Sequence, residues 1–382
     1  MTPATCNATG SVTMQCANCE QTEIKTLAID PTNHVGETEI RDAKPASCVE
    51  AGYTGDTYCK ACDTKIAEGE ATEATGAHRK ANANDMVCAD CGMIIEFKAQ
   101  VIMGNNLDLM FAFPQSAVND WTGYYVVMER EYSLNKDNIV KDKETQTLYA
   151  SEWDTKGSFY VVTYSGLAAK EMCDEISITV YNPEGQPISV TWVDSMKNYA
   201  MRLFDTSKVT EQKTLVVDML DYGAEAQKNF SYGLDSLANA DLTEVHRAYE
   251  TEAKPFESSL DRGEKIRGSN LILESNIRFL VALSGLKKEM TAVVEYTNHN
   301  NKIVREEISG ETFATVGYFE VPDLVIADAR QVITITVYNA DNSVYTVSQV
   351  SIEDYVARLD NVGDLNKAVM KFADSAYAYL HR

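Results

Sequence analysis

The chain has 382 residues, of which 45% are hydrophobic and 24% charged, and its formal net charge is −23. That length asks for two or three domains, and that balance is the composition of folded protein and not of a disordered tail. A surface this acidic repels phosphate backbones and anionic lipids, which sets nucleic acid and membrane surfaces aside as partners and leaves solubility as its plainest role.

No stretch approaches the ~18 consecutive apolar residues of a membrane-spanning helix, so no membrane insertion is expected. The opening "MTPATCNATG" has neither the basic region nor the apolar core of a secretion signal. The expectation is that Met1 was added to a chain cut from a longer one, so that missing targeting signals say nothing of location.

Eight of the nine cysteines lie before residue 92. Cys6, Cys16, Cys19 and His34 follow one another with nine, two and fourteen residues between them; Cys48, Cys59, Cys62 and His78 follow with ten, two and fifteen. "ATCNATG" matches "ASCVEAG" around the leading cysteine, so a unit of about 43 residues occurs twice. Three cysteines and one histidine make a closed tetrahedral set for zinc. The two-residue gap lets one tight turn present two thiolates, and the longer gaps let a small hairpin bring round the other two ligands. The spacing predicts two structural zinc ions, the first on Cys6, Cys16, Cys19 and His34, the second on Cys48, Cys59, Cys62 and His78. A filled four-ligand site has no open position for substrate, so neither ion is catalytic. Units this small, with few large apolar side chains such as Val49, Tyr53, Tyr58 and Ile66, need a metal or disulfides to fold.

Four disulfides are the competing reading of eight clustered cysteines. Two points count against it: a bridge across a two-residue gap is a redox-type link, and the recurring histidine would be a coincidence. The last pair, Cys88 and Cys91, has no leading cysteine or trailing histidine of its own. It fits a truncated third repeat, a redox pair, or half of a four-cysteine site with Cys59 and Cys62.

The run "SCVEAGYTGDTYCKAC" followed by "ATEATGAH" resembles the cysteine-rich tandem repeats of large surface proteins of Gram-positive anaerobic bacteria, over residues 4 to about 92. The first copy departs from that pattern, with "IDPTNH" where the second has "TEATGAH", so His34 is the weaker ligand assignment. The resemblance implies an extracellular, cell-surface protein.

From about residue 93 cysteine nearly vanishes and the apolar period becomes two. "QVIMGNNLDLMFAF" reads as two strands around a Gly-Asn-Asn turn at 104–106, and "GYYVVMEREY" and "SFYVVTYSG" read as further strands. "EISITVYNPEGQPISVTWV" reads as a hairpin turning at Asn182–Gly185. Asp194 or Ser195 can cap a following helix whose apolar positions are Met196, Tyr199, Ala200 and Leu203. "TEQKTLVVDMLDYGAEAQKNF" is a second, longer helix, and its ending resembles a module common in the same class of surface proteins. The order returns after 265: "SNLILESNIRFLVAL", "VITITVYNADNSVYTVSQV", "SIEDYVARL" with Ser351 and Asp354 spaced like a capping box, and "NKAVMKFADSAYAYL".

The expected architecture is therefore multidomain α+β. Cys3His repeats over 1–46 and 47–92, the latter with a truncated third repeat, are followed by two antiparallel β-sandwich-like modules, each ending in a helical pair, over 93–240 and 265–382. Residues 241–264 form a polar connector with a short helix near 241 to 250.

No phosphate loop, dinucleotide fingerprint, Gly-x-Ser-x-Gly or His-Glu-x-x-His occurs. His246, His299 and His381 read as ordinary solvated residues, and Cys173 as a core residue in an apolar strand. "NKDNIVKDKE" and "NADNS" lack the alternating acidic spacing of a calcium loop. Of the 20 tyrosines, Tyr124, Tyr125, Tyr160, Tyr164, Tyr318 and Tyr338 fall on predicted strands, where exposed ones could meet sugar rings or a protein.

The expected function is a non-enzymatic extracellular binding or adhesion segment engaging a host or environmental protein or glycoprotein, such as immunoglobulin or a mucosal glycoprotein. The alternatives are an architectural spacer and a carbohydrate-binding or hydrolytic module. The sequence does not identify the ligand-binding residues.

Overall fold

The computed structural model describes residues 1–103, 107–133 and 141–382. The Gly-Asn-Asn turn expected at 104–106 and most of "NKDNIVKDKE" lie outside the described residues. The chain forms two compact units, Met1–Ile95 and Glu96–Arg382, and is mixed α+β with many small sheets and few helices.

The first unit holds short strands: β1 Gly10–Gln15, β2 Thr22–Leu27, β3 Thr38–Arg41, β4 Gly52–Tyr53, β5 Asp56–Cys59, β6 Lys65–Ala67 and β7 Ala71–Thr72. β1 pairs with β2, β3–β5–β6 make a three-stranded sheet, and β4 pairs with β7. Before each leading cysteine the chain makes one isolated bridge to the strand that follows it, Thr2 to Ser11 and Lys44 to Tyr53. A glycine sits beside each bridge because the two backbones nearly touch there. A Cβ on Gly52 would lie 2.5 Å from Ala46 N, and one on Gly10 would lie 2.6 Å from Thr2 O. Apart from cysteines, the buried apolar side chains of this unit are Ala4, Met86 and Ile94, too few for a hydrophobic core.

The second unit has a conventional core. It begins with β8 Lys98–Met103, β9 Leu107–Pro114, β10 Tyr125–Ser133, β11 Lys141–Tyr149, β12 Asp154–Lys156, β13 Phe159–Leu167, β14 Ile176–Tyr181 and β15 Trp192–Asp194. They make two four-stranded sheets, in the orders β12–β13–β9–β8 and β11–β10–β14–β15. The fully buried side chains alternate, as the period of two demands, with Leu109, Phe111 and Phe113 on β9 and Ile176, Ile178 and Val180 on β14; Met110 and Ala112 on the other face of β9 are nearly as buried.

The arm after Asn182–Gly185 pairs less than its sequence suggests. Gly185 turns with a φ of +78°, but the return begins at Pro187 and makes only isolated bridges, at Pro187 to Tyr181 and at Ser189, before β15. Proline has no N–H to give, and the Ser189 hydroxyl, 2.8 Å from Val180 N, accepts a ladder hydrogen bond in place of a backbone carbonyl. Cys173 lies in a turn and not in a strand, and burial pushes its thiol up to about 11.

Helix α1 (Met196–Thr206) is capped by Ser195, whose hydroxyl accepts from Asn198 N at 3.1 Å. Asp194 instead pairs with Arg202. Phe204 and not Leu203 completes the buried stripe with Met196 and Ala200. Helix α2 (Thr210–Phe230) follows, and the connector holds one short helix, α3 (Glu244–Arg247).

The remaining strands are β16 Ile266–Leu273, β17 Ile277–Leu283, β18 Thr291–Thr297, β19 Ile303–Ser309, β20 Tyr318–Glu320, β21 Ile333–Tyr338 and β22 Val344–Val350. A short helix, α4 (Gly310–Phe313), precedes β20, and α5 (Ile352–Ala357) and α6 (Asp364–Leu380) end the chain. The sheets run β16–β17–β20 and β19–β18–β21–β22. Ser351 caps α5 by accepting from Asp354 N at 2.9 Å. The reciprocal half of the capping box does not form: the Asp354 carboxylate turns to Arg358 at 3.0 Å. Helices α2 and α6 lie against each other, with Phe372 stacked on Tyr222 at 5.6 Å between ring centroids. Among the described residues no helix is long and apolar enough to cross a membrane.

Candidate metal centres

Each CxxC pair sits where the chain reverses, Cys59–Cys62 at the end of β5 and Cys88–Cys91 inside the isolated bridge of Val87 to Ile94. Cys59 closes β5, and its N–H donates to Thr64 O at 2.9 Å across the loop; Cys88 does the same to Met93 O at 2.8 Å. The residues just past Cys62 and Cys91, Asp63 and Gly92, have φ of +59° and +75°, and their N–H groups reach back to Cys59 O and Cys88 O, 2.9 Å each. That left-handed step curls the turn so that both sulfurs point to one side, which is why Asp and Gly, tolerant of positive φ, stand there.

The structure gathers two Cys3His clusters. Cys6, His34, Cys59 and Cys62 form one; Cys48, His78, Cys88 and Cys91 form the other; in each, the ligand atoms all lie within 4.8 Å of one another. In the first cluster Cys6 Sγ is 3.6 Å from Cys59 Sγ, and His34 Nδ1 is 3.4 Å from Cys62 Sγ. In the second, Cys48 Sγ is 4.0 Å from Cys88 Sγ, and His78 Nδ1 is 3.5 Å from Cys91 Sγ. Tetrahedral zinc, with bonds of about 2.3 Å to sulfur and 2.0 Å to nitrogen, requires sulfur–sulfur edges of about 3.8 Å and sulfur–nitrogen edges of about 3.5 Å. These gaps have that size. They far exceed the ~2.0 Å of a disulfide, and all nine cysteines are free thiols.

The grouping runs across the repeats and not within them. Each leading cysteine and trailing histidine meets the CxxC pair of the following segment. Cys6 and His34 stand with Cys59 and Cys62, and Cys48 and His78 with Cys88 and Cys91. Cys16 and Cys19 join neither cluster and are exposed. Cys88 and Cys91, which the sequence left without partners, complete the second set, so Cys59 and Cys62 are not theirs to share.

The electrostatics of the clusters fit a cation. Cys62 is drawn down to about 6, chiefly by the Thr64 hydroxyl 3.4 Å away, while burial and hydrogen bonds to Cys62 and Cys59 push Cys6 up to about 11. At the second cluster burial opposes ionisation of Cys88, but the N–H groups of Asp90, Cys91 and Arg79 still bring it to about 6. Cys48 rises to about 11, first through its hydrogen bond to Cys91 and then through burial. Without a cation, thiols this close cannot all ionise; a divalent ion would allow it. Cys48, Cys59 and Cys88 are at most 8% exposed and the other five ligands are half-buried; four protein ligands per cluster leave no open position, as in structural sites.

Elsewhere the second unit offers two surfaces. The β10 register sets Tyr125 opposite Tyr149 on β11 and Tyr181 on β14, so three tyrosines form one cross-strand row. Tyr125 and Tyr181 stack at 5.3 Å between centroids, and Tyr149 is 55% exposed. Tyr149 and Tyr181 were not among the strand tyrosines picked out of the sequence, because one strand's pattern does not tell which residue faces it on the next. Of those that were, Tyr164 is buried, Tyr318 is exposed and the other four are half-buried.

The other surface is an apolar cavity of about 370 Å3, lined by Tyr199, Leu215, Met219, His299, Ile326 and Tyr379 among others. His299 Nδ1 lies 3.0 Å from the Asp328 carboxylate, which also accepts from His299 N. His246 bonds the Thr243 side chain at α3, and His381 stacks on Tyr377.

Neither a family model nor a curated protein matches the chain. Among solved structures it is similar to a cytokine receptor complex at 7% identity and a TM-score of 0.14, covering 67% of this chain and 97% of that one. A tetra-tandem repeat in the extending region of a large adhesion protein matches at 9% identity and a TM-score of 0.16, covering 91% and 81%. Astrotactin-2, a vertebrate-specific, perforin-like membrane protein, matches at 10% identity and 0.18, covering 59% of this chain and 47% of that one. Likenesses this slight define neither fold nor role.

Proposed function

We propose that this chain is a non-enzymatic extracellular segment of a bacterial surface protein, in which zinc staples a short stalk and the second unit binds a host or environmental protein. The observation that carries the reading is the grouping of ligands across repeats. An ion held within one repeat stabilises only that repeat. An ion held between two fixes one repeat against the next, which is what a spacer needs to stay extended. The closed clusters leave no ligand position for chemistry, so the metal's role is mechanical. The resemblance of residues 4 to about 92 to cysteine-rich repeats of Gram-positive anaerobes gives the surface location.

In the second unit we read residues 93–240 and 265–382 as copies of one plan. The sheet orders β11–β10–β14–β15 and β19–β18–β21–β22, each followed by a helical pair, support that reading. Two copies would raise avidity for a multivalent ligand such as immunoglobulin or a mucosal glycoprotein. The row of Tyr125, Tyr149 and Tyr181 is the surface we assign to that ligand: wide, amphipathic rings on a rigid sheet suit a protein or glycan face. The spacer alone is the second reading.

Native mass spectrometry with and without chelator, followed by capture from serum and mucus, tests both halves. Two zinc ions per chain, and a captured glycoprotein lost in a Tyr125→Ala/Tyr149→Ala variant, are the expected results. Metal-free protein with masses lower by two hydrogens per cysteine pair would replace zinc with disulfides. Capture of nothing would leave the spacer.

A further inference from the structure

Three CxxC pairs occur, but the described residues gather only two clusters, and the unclaimed pair is Cys16 and Cys19. Its backbone is built like the other two. Cys16 follows directly on β1 as Cys59 closes β5, and its N–H donates to Gln21 O at 2.9 Å, the same five-residue step as Cys59 to Thr64 and Cys88 to Met93. The hairpin around it, β1 paired with β2 from Gly10–Leu27 to Gln15–Thr22, holds the loop at the tip of a two-stranded arm with both thiols in solvent. In one respect it differs. Glu20 stands where Asp63 and Gly92 take positive φ, so this loop lacks the left-handed curl of the closed pairs.

In both clusters the CxxC pair takes its other two ligands from a Cys…His pair earlier in the chain. No Cys…His pair precedes Cys16, since the first histidine is His34, and His34 and Cys6 are used by the first cluster. We propose that Cys16 and Cys19 are the open half of a third metal site, which takes a thiophilic divalent cation together with a cysteine and a histidine from another repeat of the same kind. Cys16, Cys19 and the incoming cysteine each give a proton to water as their sulfurs bind the ion, and the incoming histidine, neutral, closes the tetrahedron, joining repeats head to tail. The incoming pair has two sources, a repeat linked covalently or one on a second molecule, and the ligand chemistry is the same for both. This rests on the closed clusters being zinc sites.

Cobalt(II) is the probe, because thiolate–cobalt absorption counts sulfur ligands. Titration of the native chain should show two tight equivalents and a third at least about 100-fold weaker, as two protein ligands hold less firmly than four. The third should vanish in a Cys16→Ser/Cys19→Ser variant while the first two persist.

A Cys88→Ser/Cys91→Ser variant exposes Cys48 and His78 as an open Cys…His pair. Mixed with native chain and zinc, it should form a dimer by sedimentation that chelator dissolves and that Cys16→Ser/Cys19→Ser chain cannot form. A chain carrying an extra copy of residues 43–80 before residue 1 tests the covalent source, with a third tight ion and no dimer as the expected result; success of either arm supports the proposal.

Two cobalt equivalents that are unchanged by Cys16→Ser/Cys19→Ser, with no third ion in either arm, would overturn the proposal and leave the zinc reading intact. So would a Cys16–Cys19 disulfide that forms in the presence of cobalt. No bound metal at all would overturn the zinc reading itself.

Discussion

The Cys88→Ser/Cys91→Ser substitution separates ligand grouping across repeats from grouping within them. If each repeat used its own CxxC pair, Cys88 and Cys91 would be surplus and both ions would survive. In the observed grouping Cys48 and His78 keep two of four ligands, and the second ion is lost. The magnitude is large because little else holds that segment. Its buried apolar side chains are Met86, 6% exposed, and Ile94, fully buried; together they contribute on the order of 5 kcal/mol. A structural zinc contributes about 10–16 kcal/mol of apparent folding free energy at neutral pH. Losing most of that should unfold roughly residues 79–95, while the bonds of Thr75 N to Ser47 O and Gly76 N to Cys48 O keep Cys48 near His78 and the first cluster and the second unit keep their structure. Native mass spectrometry should find one zinc in place of two, and amide spectra should lose dispersion only in that segment. Two ions in the doubly substituted chain, with an unchanged spectrum, would refute the reasoning.

Three further outcomes follow from the packing. Asp218 is fully buried on α2, accepts from Thr251 N at 3.2 Å, and is pushed up to about 6 by burial. Its folded-state value lies above that of the unfolded chain, so the native state holds the proton between about pH 4 and 6. Stability of the second unit should fall by about 3 kcal/mol as pH rises through that window. An Asp218→Asn variant should lose this slope in denaturant melts, and an equal slope in both proteins would contradict the assignment. Gly52→Ala should cost about 1–3 kcal/mol, since its Cβ would meet Ala46 N at 2.5 Å, and zinc release by a competing chelator should be faster; unchanged release would show that the backbones can part freely. Phe372→Ala should cost about 3–5 kcal/mol in the second unit, by removing a ring 1% exposed and stacked on Tyr222, and should leave the metal count unchanged.

The ligand types and the turns that carry them were legible in the sequence, but their grouping was not. Three CxxC pairs, two leading cysteines and two histidines can be divided with Cys88 and Cys91 left over or with Cys16 and Cys19 left over, and spacing alone is satisfied by both. One local signal does distinguish them. Asp63 and Gly92, which follow the closed pairs, favour positive φ, whereas Glu20 does not.

In the second unit strands are legible where one face is buried and the other is not, as on β21 with Ile333, Ile335 and Val337. They were misread where a side chain stands in for the ladder, as Ser189 does, and at Cys173, whose apolar neighbours belong to a turn. The tyrosine row was invisible because it depends on register between β10, β11 and β14, a property of pairs of strands.

The central claim is that each ion joins successive repeats, and cadmium-113 substitution tests it most directly by NMR. Scalar couplings should connect one cadmium to the β-protons of Cys6, Cys59 and Cys62 and to the His34 ring, and the other to Cys48, Cys88, Cys91 and His78. A cadmium coupled to Cys16 and Cys19 together with Cys6 would contradict it.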